Sequence, residues 1–369
     1  MFKLFKYWKE SLLGSLFCVL SIYGFAQEKK WHNILQENAL EGRVSAIKTE
    51  DGYARLPLSL KNEVREPVWN LGQDAAGVYV DFKTNASSII VKYKVNGGLN
   101  MPHMPSTGVS GLDLYAKSSN SNQWNWITGN YSFKDTISYT FQNYVTEPNS
   151  TYRLYLPLYN SVEWMELGIG ENDQLEFLHQ KTKPIIVYGT SIAQGACASR
   201  PGLGWTNWMG RNFDQEVVNL AFSGNGRLEQ PILDLIKKED ASVFILDCVP
   251  NLGITAERTE EKLIELIVNA VKTIRSEHPN TPIVIAAHSS SQVPGVLNKK
   301  NTDGYNLSSA IAEKTVKELQ NNGDKNLYWL TSKEIGLDNS STVDYAHPND
   351  FGMEKIAAAY TRLLQRIIK

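Results

Sequence analysis

The chain has 369 residues, 42% of them hydrophobic and 10% aromatic, which is enough for a large core and for two domains. A formal net charge of -2 without any basic stripe argues against a nucleic-acid partner, because phosphate recognition needs a concentrated positive surface. The composition is neither disordered nor of low complexity.

Residues 1–26 differ from the rest. Lys3, Lys6 and Lys9 precede an apolar run from Leu12 to Phe25 that ends in Gly24-Phe25-Ala26. This reads as a secretory signal peptide with small residues near the cleavage point, and the run is short for a bilayer span. The expected protein is secreted or periplasmic, with no integral membrane segment once the leader is gone. A lipoprotein reading of Cys18 is weakened by bulky Phe17. Loss of Lys3, Lys6, Lys9 and Glu10 would leave a formal charge of about -4. Cys197 and Cys248 then remain, and the sequence leaves their pairing open.

Residues 27–175 are expected to form an antiparallel β-sandwich, jelly-roll-like in outline. Short alternating runs at 77–82, 88–94, 136–141 and 151–156 are separated by Asn, Gly, Asp and Ser, with no helical period between them. Its many Trp and Tyr side chains are expected mostly in the core. One loop is odd: residues 100–105 read Asn-Met-Pro-His-Met-Pro, an unusual composition for a solvated turn. Either it walls a substrate cleft through His103, or Met101 and Met104 plug a gap.

From residue 183 to the end, strands alternate with helices. Strands are expected at 185–188, 217–222, 243–247, 283–287 and 327–331, and helices at 205–213, 228–238, 257–277 and 307–321. A last helix follows Asn349. Such alternation predicts an α/β/α, flavodoxin-like domain over 183–369 around a five-stranded parallel sheet.

Polar residues gather where these strands end. The first strand runs into Gly189-Thr190-Ser191, the second into Ser223-Gly224-Asn225-Gly226, and the third into Cys248-Val249-Pro250-Asn251. Taken singly, each is an ordinary turn or helix cap. Near the end, Asp344 precedes His347 by three residues in a loop stiffened by Pro348. There His347 can take a proton from Ser191 while Asp344 orients its imidazole, and Asp350 can cap the last helix. Position 193 is Ala, so the turn is not the Gly-x-Ser-x-Gly elbow.

Together these blocks resemble the SGNH (GDSL) hydrolase superfamily over about residues 183–369. Gly111-Leu112-Asp113-Leu114-Tyr115 adds a resemblance to a bacterial, carbohydrate-esterase-like branch in which a β-sandwich bearing Gly-x-Asp-Leu-Tyr precedes the hydrolase. The resemblance implies Ser191 as nucleophile, His347 as base, Asp344 as orienting acid, and an oxyanion hole from Ser191, Gly224 and Asn251. It departs from the family pattern in Gly-Thr-Ser-Ile for Gly-Asp-Ser-Leu, and in Tyr345 where glycine is frequent. His103, Arg200, Trp205 and Tyr345 are further candidates for binding substrate. The expected activity is a serine esterase removing acetyl groups from carbohydrate without metal or cofactor. A carboxylesterase or lipase, or a non-catalytic carbohydrate-binding protein, are the alternatives.

Overall fold

A computed structural model describes residues 28–368 except 48–51, 122, 143, 145–148 and 294–298. The predicted leader and Cys18 lie outside the described residues. Among the described residues no helix is long and apolar enough to cross a membrane.

The N-terminal part is built of two antiparallel sheets. One orders Lys29–Asn33, Val162–Gly170, Ser88–Val95, Ile137–Gln142 and Asn130–Ser132. The other orders Leu175–Leu178, Tyr79–Thr84, Thr151–Tyr155, Asp113–Lys117 and Trp124–Ile127, with Leu40–Glu41 also paired to Tyr79–Thr84. Alternate residues of both sheets meet in one core, among them Phe82, Leu114 and Leu154 from one and Val91, Phe141 and Leu167 from the other. Two short helices, Glu66–Gly72 and Ser106–Val109, interrupt a region where none was expected.

The second sheet is buried on its outer face as well. Side chains two apart in a strand share a face, so Leu114 enters the sandwich core while Asp113 and Tyr115 face the α/β part. Asp113 accepts from the Gly202 amide at 2.9 Å, and Arg211 lies 4.0 Å over the Tyr115 ring. Gly202 is required there, because a Cβ would fall 2.3 Å from the Tyr115 ring and 2.6 Å from an Asp113 oxygen. Deeper in the same face, Arg153 makes a bidentate pair with Asp81, both bonds 2.7 Å, under the ring of Tyr79. Alternation in Gly-x-Asp-Leu-Tyr thus serves two interfaces at once.

The C-terminal part is a five-stranded parallel sheet ordered Val217–Ala221, Ile185–Gly189, Val243–Asp247, Ile283–Ala286, Leu327–Leu330. Strand order 2-1-3-4-5 puts the first strand between the second and third, in register at Gly189, Ala221 and Asp247. Helices cover both faces: Gln230–Ile236, Glu260–Arg275 and Lys299–Asn321 pack into one core, Trp205–Phe213 and Asp350–Ile367 into the other.

Candidate active site

The switch point of that strand order is where the three polar turns converge. Adjacent strands lie about 4.8 Å apart, so turns leaving Gly189, Ala221 and Asp247 at one level are immediate neighbours. Ser191 opens a single-turn helix, Ser191–Gln194, after extended Thr190, and Gly195 closes it with φ +117°. Gly224 has φ +67° and open space where a Cβ would stand, so a ligand can approach its backbone. Asn251 ends the turn Val249–Asn251, and its Nδ2 is buried without a hydrogen-bond partner among the described residues. An orphaned amide of this kind is destabilising unless something accepts from it.

The Asp344–His347 loop completes the arrangement. Ser191, 7% exposed, has its Oγ 2.8 Å from His347 Nε2, and His347 Nδ1 is 2.8 Å from Asp344 Oδ2. A carboxylate on Nδ1 fixes the proton there and leaves Nε2 to accept from the serine. Burial acts to raise the Asp344 pKa, but hydrogen bonds from the His347 amide and ring, the His347 charge and the Ala346 amide outweigh it and hold the carboxyl below its ordinary value. It remains the anion that an imidazolium needs beside it.

Several backbone ties hold the loop. Val343 donates to the His347 carbonyl at 2.8 Å, and Cys197, six residues after the serine, donates to the Pro348 carbonyl at 2.9 Å. Ser290 Oγ donates to the Ala346 carbonyl at 3.1 Å. Its own amide donates to Nδ1 of buried His288, whose pKa falls to about 3 through burial and then the nearby His347 charge, so His288 stays neutral. Tyr345 has φ +67°, a left-handed conformation that glycine adopts without strain and other residues rarely adopt. The helix cap differs from expectation: Asn349 accepts from the Gly352 amide, while Asp350 reaches across to the Ser199 amide and hydroxyl. Cys197 and Cys248 are free, buried thiols.

The further binding candidates separate. His103 is exposed, its ring centre 6.3 Å from that of His347, while Met104 is buried and Met101 half-buried against the α/β core. The loop therefore plugs the interface with its methionines and offers its histidine to the site. Tyr345 sits within the Asp344–His347 loop and also packs on that core. Trp205 is fully buried and stacked 4.5 Å from Tyr360, which leaves no face for substrate, a correction to its expected role. Arg200 is held by Asp113, at 2.9 and 2.8 Å, and by the Tyr115 hydroxyl at 3.0 Å.

Sequence reasoning missed a support beneath the second turn. Arg55, fully buried, donates to the carbonyls of Leu71, Asp74, Asn219 and Ala221. Gln194 Nε2 donates to Asp74 at 3.0 Å, and Gln194 Oε1 accepts from the Ser223 amide at 2.9 Å, next to Gly224. Tyr159 donates to the Ser191 carbonyl at 3.2 Å. Nothing local in the sequence marks Arg55 or Asp74, whose partners lie far along the chain. Burial raises the Asp74 pKa to about 6, against the opposing pull of Arg55 and Gln194. Between the ordinary carboxylate value and about 6 the folded state binds more protons, so this group's ionisation lowers stability as pH rises through that window. Asp74→Asn keeps an acceptor for Gln194 and removes the titration. The variant's melting temperature relative to wild type is expected to rise between pH 4 and 7; a constant difference would rule this out.

Residues 182–365 match the model of the GDSL-like Lipase/Acylhydrolase family, and residues 29–175 match that of the N-terminus of Esterase_SGNH_hydro-type. The chain belongs to the GDSL-like lipase/acylhydrolases that carry this Gly-x-Asp-Leu-Tyr domain ahead of the hydrolase. No curated protein matches it. Among solved structures it is similar to a GDSL-like lipase candidate from Bacteroides ovatus, 27% identical, with TM-score 0.81 over 92% of this chain and 98% of that one. It is also similar to the salicylyl-acyltransferase SsfX3 from a tetracycline biosynthetic pathway (17% identity, TM-score 0.72, 92% and 97% covered). A family two carbohydrate esterase from Clostridium thermocellum shares the fold at 13% identity and TM-score 0.52, with 79% and 92% covered.

Proposed function

We propose that this chain is an exported serine esterase that removes O-acetyl groups from carbohydrate. The observation that carries the esterase chemistry is the relay Ser191–His347–Asp344, hydrogen-bonded at 2.8 Å in both steps, beside the unpartnered Asn251 amide. In this reading His347 Nε2 takes the Ser191 proton as Oγ attacks the acetyl carbonyl carbon. The resulting oxyanion lies against the Ser191 and Gly224 amides and Asn251 Nδ2, donors each worth about 3 kcal/mol in the transition state. Collapse breaks the ester C–O bond, and His347 hands its proton to the departing sugar oxygen. Water, deprotonated by the same imidazole, then attacks acetyl-Ser191, releasing acetate and restoring the hydroxyl.

What supports a carbohydrate leaving group is the mouth of the site. Residues 100–106 line an open depression of about 540 Å³ that carries exposed His103 next to His347. Asn100, His103 and Ser106 offer hydrogen-bond partners to a polyhydroxylated leaving group, and an open depression encloses no slot for a long acyl chain. A family two carbohydrate esterase among the fold neighbours lends support to a carbohydrate substrate, and a salicylyl-acyltransferase among them is the reason other acyl esters belong in the test. Export rests on the charged and apolar pattern of residues 1–26. The test compares acetate release from a panel of acetylated glycans with turnover of short aryl acetates and long-chain acyl esters. Preference for the glycans is expected; faster turnover of long acyl chains would favour a lipase instead.

A further inference from the structure

None of the residues lining a second concave feature belongs to the Ser191 centre. It is a cavity of about 250 Å³ where the chain crosses from the strand Trp124–Ile127 to Asn130–Ser132, that is, from one sheet of the sandwich to the other. Its walls include Thr107, Trp126, Tyr131, Tyr139, Ser199 and Arg200. The volume is about eight waters' worth of space, the scale of a single sugar ring.

Two of its walls are aromatic side chains left open to solvent, Trp126 at 48% and Tyr131 at 56% exposed. Isolated exposed apolar groups are ordinary, but two rings sharing one cavity with polar neighbours mark a binding patch. Both rings are already oriented. Trp126 Nε1 donates to Asp113 at 2.6 Å and its ring carries Arg200 at 4.1 Å, while Tyr131 packs on Tyr139 and Phe133 at 5.3 and 5.5 Å. Rings fixed in advance lose little entropy when a ligand stacks on them.

The polar groups match hydroxyls rather than a charge. Arg200 makes its hydrogen bonds through Nη1, leaving Nε and Nη2 without partners among the described residues, and Asp113 neutralises it. Thr107 and Ser199 donate their hydroxyl protons to the Ser199 carbonyl and to Asp350, and so remain acceptors. The buried Tyr139 hydroxyl, beside the Leu112 backbone, makes no hydrogen bond of good geometry. An apolar ring face edged by hydroxyls is what this set of groups complements. The cavity also adjoins the catalytic mouth: Ser106 lines the depression holding His103, Thr107 lines this cavity, and Ser199 is tied to Asp350, three residues beyond His347.

We propose that this cavity is a subsite for an uncharged pyranose unit of the same glycan whose ester is cleaved at Ser191. The proposal rests on the carbohydrate reading above, and the following experiment separates the two. Unesterified cellohexaose, xylohexaose and mannohexaose are titrated calorimetrically into Ser191→Ala protein, alone and combined with Tyr131→Ala or Trp126→Ala. At least one hexaose should bind, about tenfold more weakly when either ring is removed. Tyr131→Ala changes an exposed ring that makes no hydrogen bond to described residues, so it keeps the test decisive should Trp126→Ala disturb the Asp113–Arg200 pair. Equal affinity with and without Tyr131 and Trp126, or no binding of any hexaose, overturns the subsite. Acetate release from acetylated glycans by wild type reports separately on the function: release with ring-independent binding sinks the subsite alone, whereas ring-dependent binding without release keeps a sugar-binding cavity but overturns the esterase reading and, with it, the claim that the bound glycan is cleaved at Ser191.

Discussion

Ser191→Ala is expected to leave a folded protein whose ester turnover falls by about 10³-fold or more. Without Oγ there is no nucleophile for His347 to activate, and only the oxyanion donors and substrate binding remain. Folding should be little affected, because Thr190 rather than Ser191 holds the cap position and alanine is a good helix former. The lost Oγ bond to His347 removes one interaction at a nearly buried position, a change of about 1 kcal/mol. Burst and steady-state kinetics on a short aryl acetate, with a thermal melt of the same sample, measure both quantities. Turnover near that of wild type in the variant would end the serine-esterase reading.

Much of this arrangement was legible because its signals are local. Each parallel strand is a short, mostly apolar run, and the observed bounds fall within one residue of the expected ones. Helix Trp205–Phe213 was read to the residue from its apolar period. Helix Lys299–Asn321 starts eight residues before the expected 307, since its first turns are polar and carry no period. Asn349 and Asp350 are both good caps standing side by side, and only the side-chain directions separate them.

What the sequence withheld is long-range. Asp113 and Tyr115 look like the outer, half-solvated face of a strand until Gly202 and Arg211 cover them. Trp205 could not be told from a surface aromatic until Tyr360 stacked on it. The chain from Arg55 through Asp74 and Gln194 to Ser223 joins residues more than a hundred positions apart, so no window of sequence contains it. It matters to the chemistry because it fixes the turn that carries Gly224, one of the two proposed backbone donors.

The third proposed donor provides the sharpest test of the oxyanion hole. Asn251→Ala is expected to lower kcat by about 10²-fold with little change in KM, because the charge its amide meets develops only in the transition state. An asparagine that merely shaped its loop would hydrogen-bond within it, and truncation would then lower stability. Here Nδ2 is buried and has no partner among the described residues, while the turn is held by backbone bonds, including the Asn251 amide to the Cys248 carbonyl at 2.9 Å. Removing an unsatisfied buried amide sacrifices no bond in the resting protein, so the melting temperature should hold or rise slightly. Asn251→Asp separates charge from shape: a carboxylate of the same size facing the developing oxyanion should be at least as damaging to kcat as alanine. A lower melting temperature together with unchanged kcat per folded molecule would make Asn251 a structural residue and leave the hole to the Ser191 and Gly224 amides alone.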